Sequence, residues 1–328
     1  MSALPEAVRA LAEADFASVA QRFEQAGFVV AEPASGVLTV KAASADPARA
    51  SVLVSVGVHG DETGPIEMVA YLIEALSRTP QALAVDLMLC VGNIDAIRSA
   101  RRFVDADLNR MFRAERGALA ATSEAARADV LIAATRAFFE GSGARRWHFD
   151  LHTAIRPSHY PMFAIVPELI EDGARRGLID WLGEAGIGAV IMNPASAGTY
   201  SYFTCEHLGA AGSTVELGRV GTLGQNDLSQ FSAAANALER LLRGQPAPAA
   251  TSAPHVFATA QSITKLSDAF SMRVGRETWN FTPMKRGEVI AEDGDTVYTV
   301  QHDEELVVFP NPDVRVGLRA GIMVVRTS

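Results

Sequence analysis

Val52-Leu53-Val54-Ser55-Val56-Gly57-Val58-His59-Gly60-Asp61-Glu62-Thr63-Gly64-Pro65 is the stretch that decides the fold. Its apolar start predicts a buried strand, the glycines at 57, 60 and 64 a tight turn, and the run from Pro65 a helix. Ile66, Val69, Leu72, Ile73 and Leu76 recur there at spacings of three and four, one face of an amphipathic helix. Pro65 suits the first helical position, because the N–H it lacks would be unpaired there anyway. His59 and Glu62 stand three apart at the junction, where strand-end loops carry chemistry. An imidazole and a carboxylate suit a borderline-soft divalent ion such as zinc. A helix-capping Glu62 beside a core-edge His59 is the plainer reading, and spacing alone does not choose between them.

Catalytic zinc takes three protein ligands and keeps one place for water, so the pair needs a distant third. His152, in Phe149-Asp150-Leu151-His152-Thr153, ends an apolar run as His59 does. Asp150 lies two residues earlier on the same side of that strand, placed to support it. A hydrogen-bonded strand-end histidine is the alternative for His152, and carries more weight for His148, His159, His207, His255 and His302.

Outward from these runs the pattern is strand, helix, strand, helix. An opening helix is predicted from Pro5 to Ala26, then strands at Gly36–Val40, Val85–Val91, Trp147–Leu151, Met162–Val166, Ile187–Met192 and Ser213–Leu217. Helices are predicted over Thr122–Glu140, around Leu169–Glu184, and from Asp227, a plausible cap, to Arg243. The class is α/β, a mixed and mostly parallel sheet flanked by helices. Gly244 to Pro254 has a linker's composition, and beyond it Thr296–Val300 and Leu306–Phe309 alternate with turn signals. The division expected is a catalytic domain over 1–245 and a smaller C-terminal β domain over 250–328.

The chain has 328 residues, a net charge of −9 and a pI near 5.3. That charge argues against nucleic acid, whose binding rests on phosphate neutralisation. Two cysteines, Cys90 and Cys205, give neither a disulfide framework nor a four-cysteine zinc site. No basic start precedes an apolar run at Met1-Ser2-Ala3, and no apolar segment reaches the ~18 residues needed to span a bilayer, so no membrane partner is expected and the cytoplasm is the default. A homo-oligomer is compatible with all of this. No Gly-x-Ser-x-Gly elbow and no phosphate-binding Gly-x-x-x-x-Gly-Lys occurs.

Two further runs hold chemistry. Arg102-Phe103-Val104-Asp105-Ala106-Asp107-Leu108-Asn109-Arg110 offers an amide and planar guanidinium forks suited to carboxylates, although on charge alone it reads as a solvated arginine face. Ser213-Thr214-Val215-Glu216-Leu217-Gly218 sets one carboxylate among small and apolar neighbours. It could take a proton from a zinc-activated water, or sit in a strand-end salt bridge.

Together His59-Gly60-Asp61-Glu62, Asp107-Leu108-Asn109-Arg110, Asp150-Leu151-His152-Thr153 and Val215-Glu216-Leu217-Gly218 resemble, in order and spacing, the succinylglutamate desuccinylase and aspartoacylase family. The resemblance implies a zinc-carboxypeptidase-like core with an appended β domain. It implies one zinc ion per subunit on His59, Glu62 and His152, with Glu216 as general base and acid. It also implies Arg102 steadying the oxyanion, and Asn109 with Arg110 on a substrate carboxylate. Asp150 to Ser158 resembles the succinylglutamate branch, which implies hydrolysis of N-succinyl-L-glutamate to succinate and glutamate in arginine catabolism. Arg156 is the candidate for the succinyl carboxylate of this small, polycarboxylate substrate. The arginine that aspartoacylases carry shortly before the catalytic glutamate has no counterpart in Ser201–Ala211. Alternatives are deacylation of another N-acyl amino acid, a zinc carboxypeptidase, or a non-catalytic metal-binding protein, for which Glu216 and Arg102 would be superfluous.

Overall fold

The computed structural model describes residues 4–248, 252–275 and 277–327. Met1-Ser2-Ala3, the middle of the predicted linker at 249–251, Arg276 and Ser328 lie outside the described residues. A mixed sheet of twelve strands runs through the described chain. At its centre Asp86–Val91, Ser51–Val56, Arg146–Ala154 and Ala211–Arg219 lie side by side, all parallel. Met162–Pro167 joins Ala211–Arg219 antiparallel and so turns the sheet mixed.

Helices cover both faces because the central strands are apolar on both. Val52, Val54 and Val56 belong to one core with Ile66, Val69, Ile73 and Leu76 of the helix Thr63–Arg78. Leu53, facing the other way, joins a core with Leu131 and Phe138 of the helix Ser123–Phe139. Pro65 is the third helical residue rather than the first, still among the N–H positions that no helical carbonyl could serve.

The predicted opening helix is two helices, Glu6–Ala12 and Ala17–Gln25. They part at Ala14, whose φ of 59° is left-handed, and the Asp15 carboxylate accepts the Ala17 N–H at 3.1 Å to restart the second. Asp227 caps a 3-10 turn, Leu228–Phe231, that runs into the helix Ser232–Leu242. The strand Val29–Ala34 and the helix Tyr200–Leu208 were not read from the sequence.

Beyond the linker, His255–Thr264 pairs in parallel with Ala189–Asn193, so the C-terminal strands extend the same sheet. Arg319–Arg326, Glu304–Val308 and Thr282–Lys285 follow antiparallel, and a three-stranded sheet packs with them around Ile263, Ile290, Val307 and Met323. No helix among the described residues is long and apolar enough to cross a membrane.

Two glycines make the turn that carries His59. Gly57 has φ +64°, a left-handed conformation that side chains resist. Gly60 lies against the backbone of the short helix Ile94–Arg98, where an added Cβ would fall 2.2 Å from the carbonyl carbon of Ala96. Gly60→Ala should therefore lower stability by about 1–3 kcal/mol or more, because backbone has to move. Gly177→Ala, in the helix Asp172–Glu184 with its nearest neighbour 3.7 Å away, should be neutral or stabilising. Denaturant midpoints of the two variants check this, and equal midpoints would refute the close approach at Gly60.

Candidate metal centre and active site

Three adjacent parallel strands build the site at their carboxyl ends, where an α/β sheet opens a crevice. Ser51–Val56 leads into His59 and Glu62, Arg146–Ala154 carries Asp150 and His152, and Ala211–Arg219 carries Glu216. His152 and Glu216 lie directly opposite one another in register.

Glu62 is the hub. His59 Nδ1 lies 2.8 Å from its Oε1 and His152 Nδ1 2.8 Å from its Oε2. Arg102 Nη1 donates to Oε1 at 2.7 Å, and the Thr153 N–H to Oε2 at 3.0 Å. Each imidazole is fixed from behind: His59 Nε2 meets Asp107 Oδ1 at 2.8 Å, and His152 Nε2 meets Asp150 Oδ2 at 3.0 Å. Carboxylate-backed histidines, both turning Nδ1 inward, are how proteins orient metal ligands.

The electrostatics agree. Burial opposes ionisation of Glu62, but the two imidazoles outweigh it and hold the carboxyl well below its usual range. Asp107 and Asp150 are also held low against their burial, chiefly by His59 and by His152 respectively. Burial works against a charged His152, yet Asp150 and Glu62 raise it well above its ordinary value. His59 is raised too, by Glu62 and Asp107 against burial and Arg102. Three carboxylates, Glu62 and Asp150 buried and Asp107 partly so, thus pull positive charge into the cluster, which a divalent cation can supply. One atom from each of His59, Glu62 and His152 lies within 4.8 Å of the others, all three residues buried. His59 Nδ1 faces Glu62 without meeting it in hydrogen-bond geometry, a buried donor atom with no other partner. The donor set fits zinc.

The loop with Arg102, Asp107, Asn109 and Arg110 is held by Glu124, a buried acid on the helix Ser123–Phe139. Its oxygens accept the N–H groups of Val104 at 2.7 Å and Ala106 at 3.0 Å, and the Asn93 amide at 3.1 Å. The Gly60 N–H donates to the Arg102 carbonyl at 3.1 Å, tying this loop to the His59 turn. Asn109 Oδ1 accepts the Tyr200 N–H at 2.8 Å, Asn109 Nδ2 lies 3.3 Å from His152 Nε2, and Arg110 Nη1 rests on the Asn109 carbonyl at 2.7 Å.

All eight residues singled out in the sequence (His59, Glu62, Arg102, Asn109, Arg110, His152, Arg156 and Glu216) line one cavity of about 420 Å³. Glu216 Oε2 is buried without a partner. Burial, then the charge of Glu62, pushes this carboxyl up to about 7. The salt-bridged alternative for Glu216 finds no partner among the described residues. The solvated-face reading fails for Arg102, which pairs with Glu62.

Sequence reasoning missed several contributors. Asp107 behind His59 was quoted only as part of a motif. Arg319 reaches the cavity from the C-terminal strands, two hundred positions from its neighbour Arg110, and no local pattern marks it. Behind Asp150 a polar chain continues: Ser55 Oγ donates to Asp150 Oδ1 at 2.5 Å and lies 2.9 Å from His148 Nε2, while His148 Nδ1 is 2.8 Å from Thr204 Oγ1.

Comparison with known proteins agrees with this geometry. A family model described as the succinylglutamate desuccinylase/aspartoacylase catalytic domain matches residues 48–242, and one described as the AstE/AspA barrel-sandwich hybrid domain matches 252–327. The chain is 47% identical over 296 residues to a succinylglutamate desuccinylase of Burkholderia orbicola, covering 89% of this chain and 86% of that one. Among solved structures it resembles a succinylglutamate desuccinylase from Vibrio cholerae, with 32% identity and a TM-score of 0.85 over 92% of this chain and 88% of that one. A second, from Chromobacterium violaceum, has 33% identity and a TM-score of 0.77, over 94% and 97% of the two chains.

The His148 chain has a consequence for acid stability. Burial, with the nearby His152 adding to it, lowers His148 to about 4. A folded pKa below the unfolded value of ~6.5 means the unfolded chain binds the proton first. The stability from a neutral His148 is full above pH 6.5 and is lost as pH falls towards 4, by at most ~1.4 kcal/mol per unit. His148→Asn should flatten the pH dependence of unfolding free energy across that window relative to the parent. Parallel curves would show that His148 does not titrate as placed.

Proposed function

The chain belongs to the succinylglutamate desuccinylase/aspartoacylase family, and from that premise we propose that it is a zinc-dependent amidohydrolase cleaving N-succinyl-L-glutamate to succinate and L-glutamate, a step of arginine catabolism. The carrying observation is Glu216, a buried carboxyl with an unpartnered oxygen beside a His-Glu-His cluster and in register with one of its histidines. His59, Glu62 and His152 would hold the zinc, which when bound would supply Lewis acidity and lower the pKa of a water towards ~7.

The rest is done by the chain's own groups. Glu216, with a pKa of about 7, is matched to accepting a proton from the attacking water and returning it to the departing glutamate nitrogen. Arg102, kept charged by Glu62 against its burial, turns a guanidinium to the oxygen on which negative charge grows. Arg110 and the Asn109 amide hold one substrate carboxylate, and Arg156 holds the succinyl carboxylate. Asp107 and Asp150 keep the imidazoles turned inward while charge moves.

The size of the cavity favours a small acyl amino acid over a peptide. Phe309, Asn311 and Val314, on the connection between the strands Glu304–Val308 and Arg319–Arg326, wall it, and a volume of this order encloses a metabolite-sized ligand.

Metal content measured alongside succinate release, with and without a chelator, should show both lost together and regained with zinc. Glu216→Ala should keep its metal and lose roughly 10²–10⁴-fold in kcat. A metal-loaded Glu216→Ala with full turnover would return the protein to a non-catalytic metal binder. Arg156→Gln should raise KM for N-succinylglutamate far more than for N-acetylglutamate, which lacks the succinyl carboxylate. Equal effects on the two substrates would remove Arg156 from the succinyl end.

A further inference from the structure

Arg319 begins the last strand, Arg319–Arg326, and reaches the cavity from the side opposite in sequence to every metal-cluster residue. Its backbone is fixed: its Cα pairs with Thr264 across the ladder, and the neighbouring Ala320 carbonyl accepts the Asn311 N–H at 2.7 Å. Its half-buried guanidinium has no carboxylate partner among the described residues. The charged group acting on it is Arg110, a second cation; burial first, then this like charge, lowers Arg319 to about 10. Arg110 likewise forms no ion pair within 4 Å among the described residues, giving one N–H to the Asn109 carbonyl. Asp107 feels the charge of Arg110 but stands outside ion-pair distance of it, and nothing comparable faces Arg319 among the described residues. Two guanidinium groups lining one partly desolvated cavity with no carboxylate in direct contact are costly, and a carboxylate bound by both reduces the cost.

We propose that Arg110 and Arg319, one from the catalytic loop and one from the C-terminal strands, form a two-arginine clamp for a carboxylate on the amino-acid half of the substrate. The clamp rests on the function proposed above. With the succinyl carboxylate read onto Arg156, the two that remain both belong to the glutamate moiety. A second guanidinium beside Arg110 meets that excess with paired, planar N–H donors.

The test is steady-state kinetics of Arg319→Gln and Arg319→Lys on four substrates: N-succinylglutamate, N-acetylglutamate, and the two N-succinylglutamate monoamides at the glutamate α and side-chain carboxyls. Arg319→Gln should raise KM roughly 10- to 100-fold for N-succinylglutamate and N-acetylglutamate alike, with kcat nearly kept and metal content unchanged. One of the monoamides, lacking the clamped charge, should be almost unaffected. Arg319→Lys should fall between, and decides the matter by the same pattern if the glutamine variant does not fold. Arg273→Gln, the same charge loss at an exposed residue paired with Glu292, controls for net charge. Unchanged KM, or equal losses on all four substrates, would overturn the clamp. If the parent does not cleave N-succinylglutamate, the function above fails on its own. The clamp is then read from calorimetry of L-glutamate: binding weakened at least tenfold in Arg319→Gln upholds it, and equal or absent binding overturns it.

Discussion

Glu62 carries the structure's central constraint. Two imidazoles, one guanidinium and one backbone N–H converge on its two oxygens, from three segments of chain. A carboxylate so buried is tolerated only because opposite charge and donors surround it. That requirement fixes where the His59 turn, the Arg102 loop and the end of the His152 strand can lie relative to one another. Gly60 enforces the same arrangement sterically, since its backbone touches the helix Ile94–Arg98 and its N–H holds the Arg102 carbonyl. The His-Glu-His cluster and Arg102 are therefore one construction.

The sheet supplies the rigidity this needs. His59, His152 and Glu216 leave from three neighbouring parallel strands whose register sets their separations before any side chain adjusts. Behind them Asp107 and Asp150 orient the rings, and Glu124 grips the loop by its backbone N–H groups. Continuation of the sheet into the C-terminal strands then brings a wall over the strand ends.

Much of this was legible in the sequence, for a physical reason. The Val52–Pro65 run, the strand into His152 and the segment around Glu216 each carry a local signature: apolar residues that must be buried, followed by polar residues that have no reason to sit there unless used. Elements whose cause is not local were missed. The break at Ala14 depends on a left-handed alanine and an Asp15 cap that interrupt an otherwise helical pattern. The strand Val29–Ala34 is mostly exposed at the sheet edge and lacks the apolar run of a buried one. The helix Tyr200–Leu208 is buried over its first six residues, with the polar Ser201 and Thr204 among them, so no amphipathic period announces it. Arg319 is defined only by what the fold sets beside it.

The arginines of the cavity divide by partner, and that division bears on selectivity. Arg102 is neutralised by Glu62 and stays charged and fixed whatever ligand enters. Arg110 and Arg319 form no ion pair within 4 Å among the described residues, Arg110 acting on Asp107 only from further off, so their direct contacts are left to water or to a ligand. A neutral peptide filling the cavity would strip that water and leave both guanidinium groups desolvated and unpaired, at a cost of several kcal/mol per ion. A polycarboxylate replaces the water with stronger, charge-assisted hydrogen bonds. Discrimination then comes as much from what the site penalises as from what it attracts. An acidic protein can in this way recognise an acidic substrate, because the charge that matters is the local one and not the total of −9.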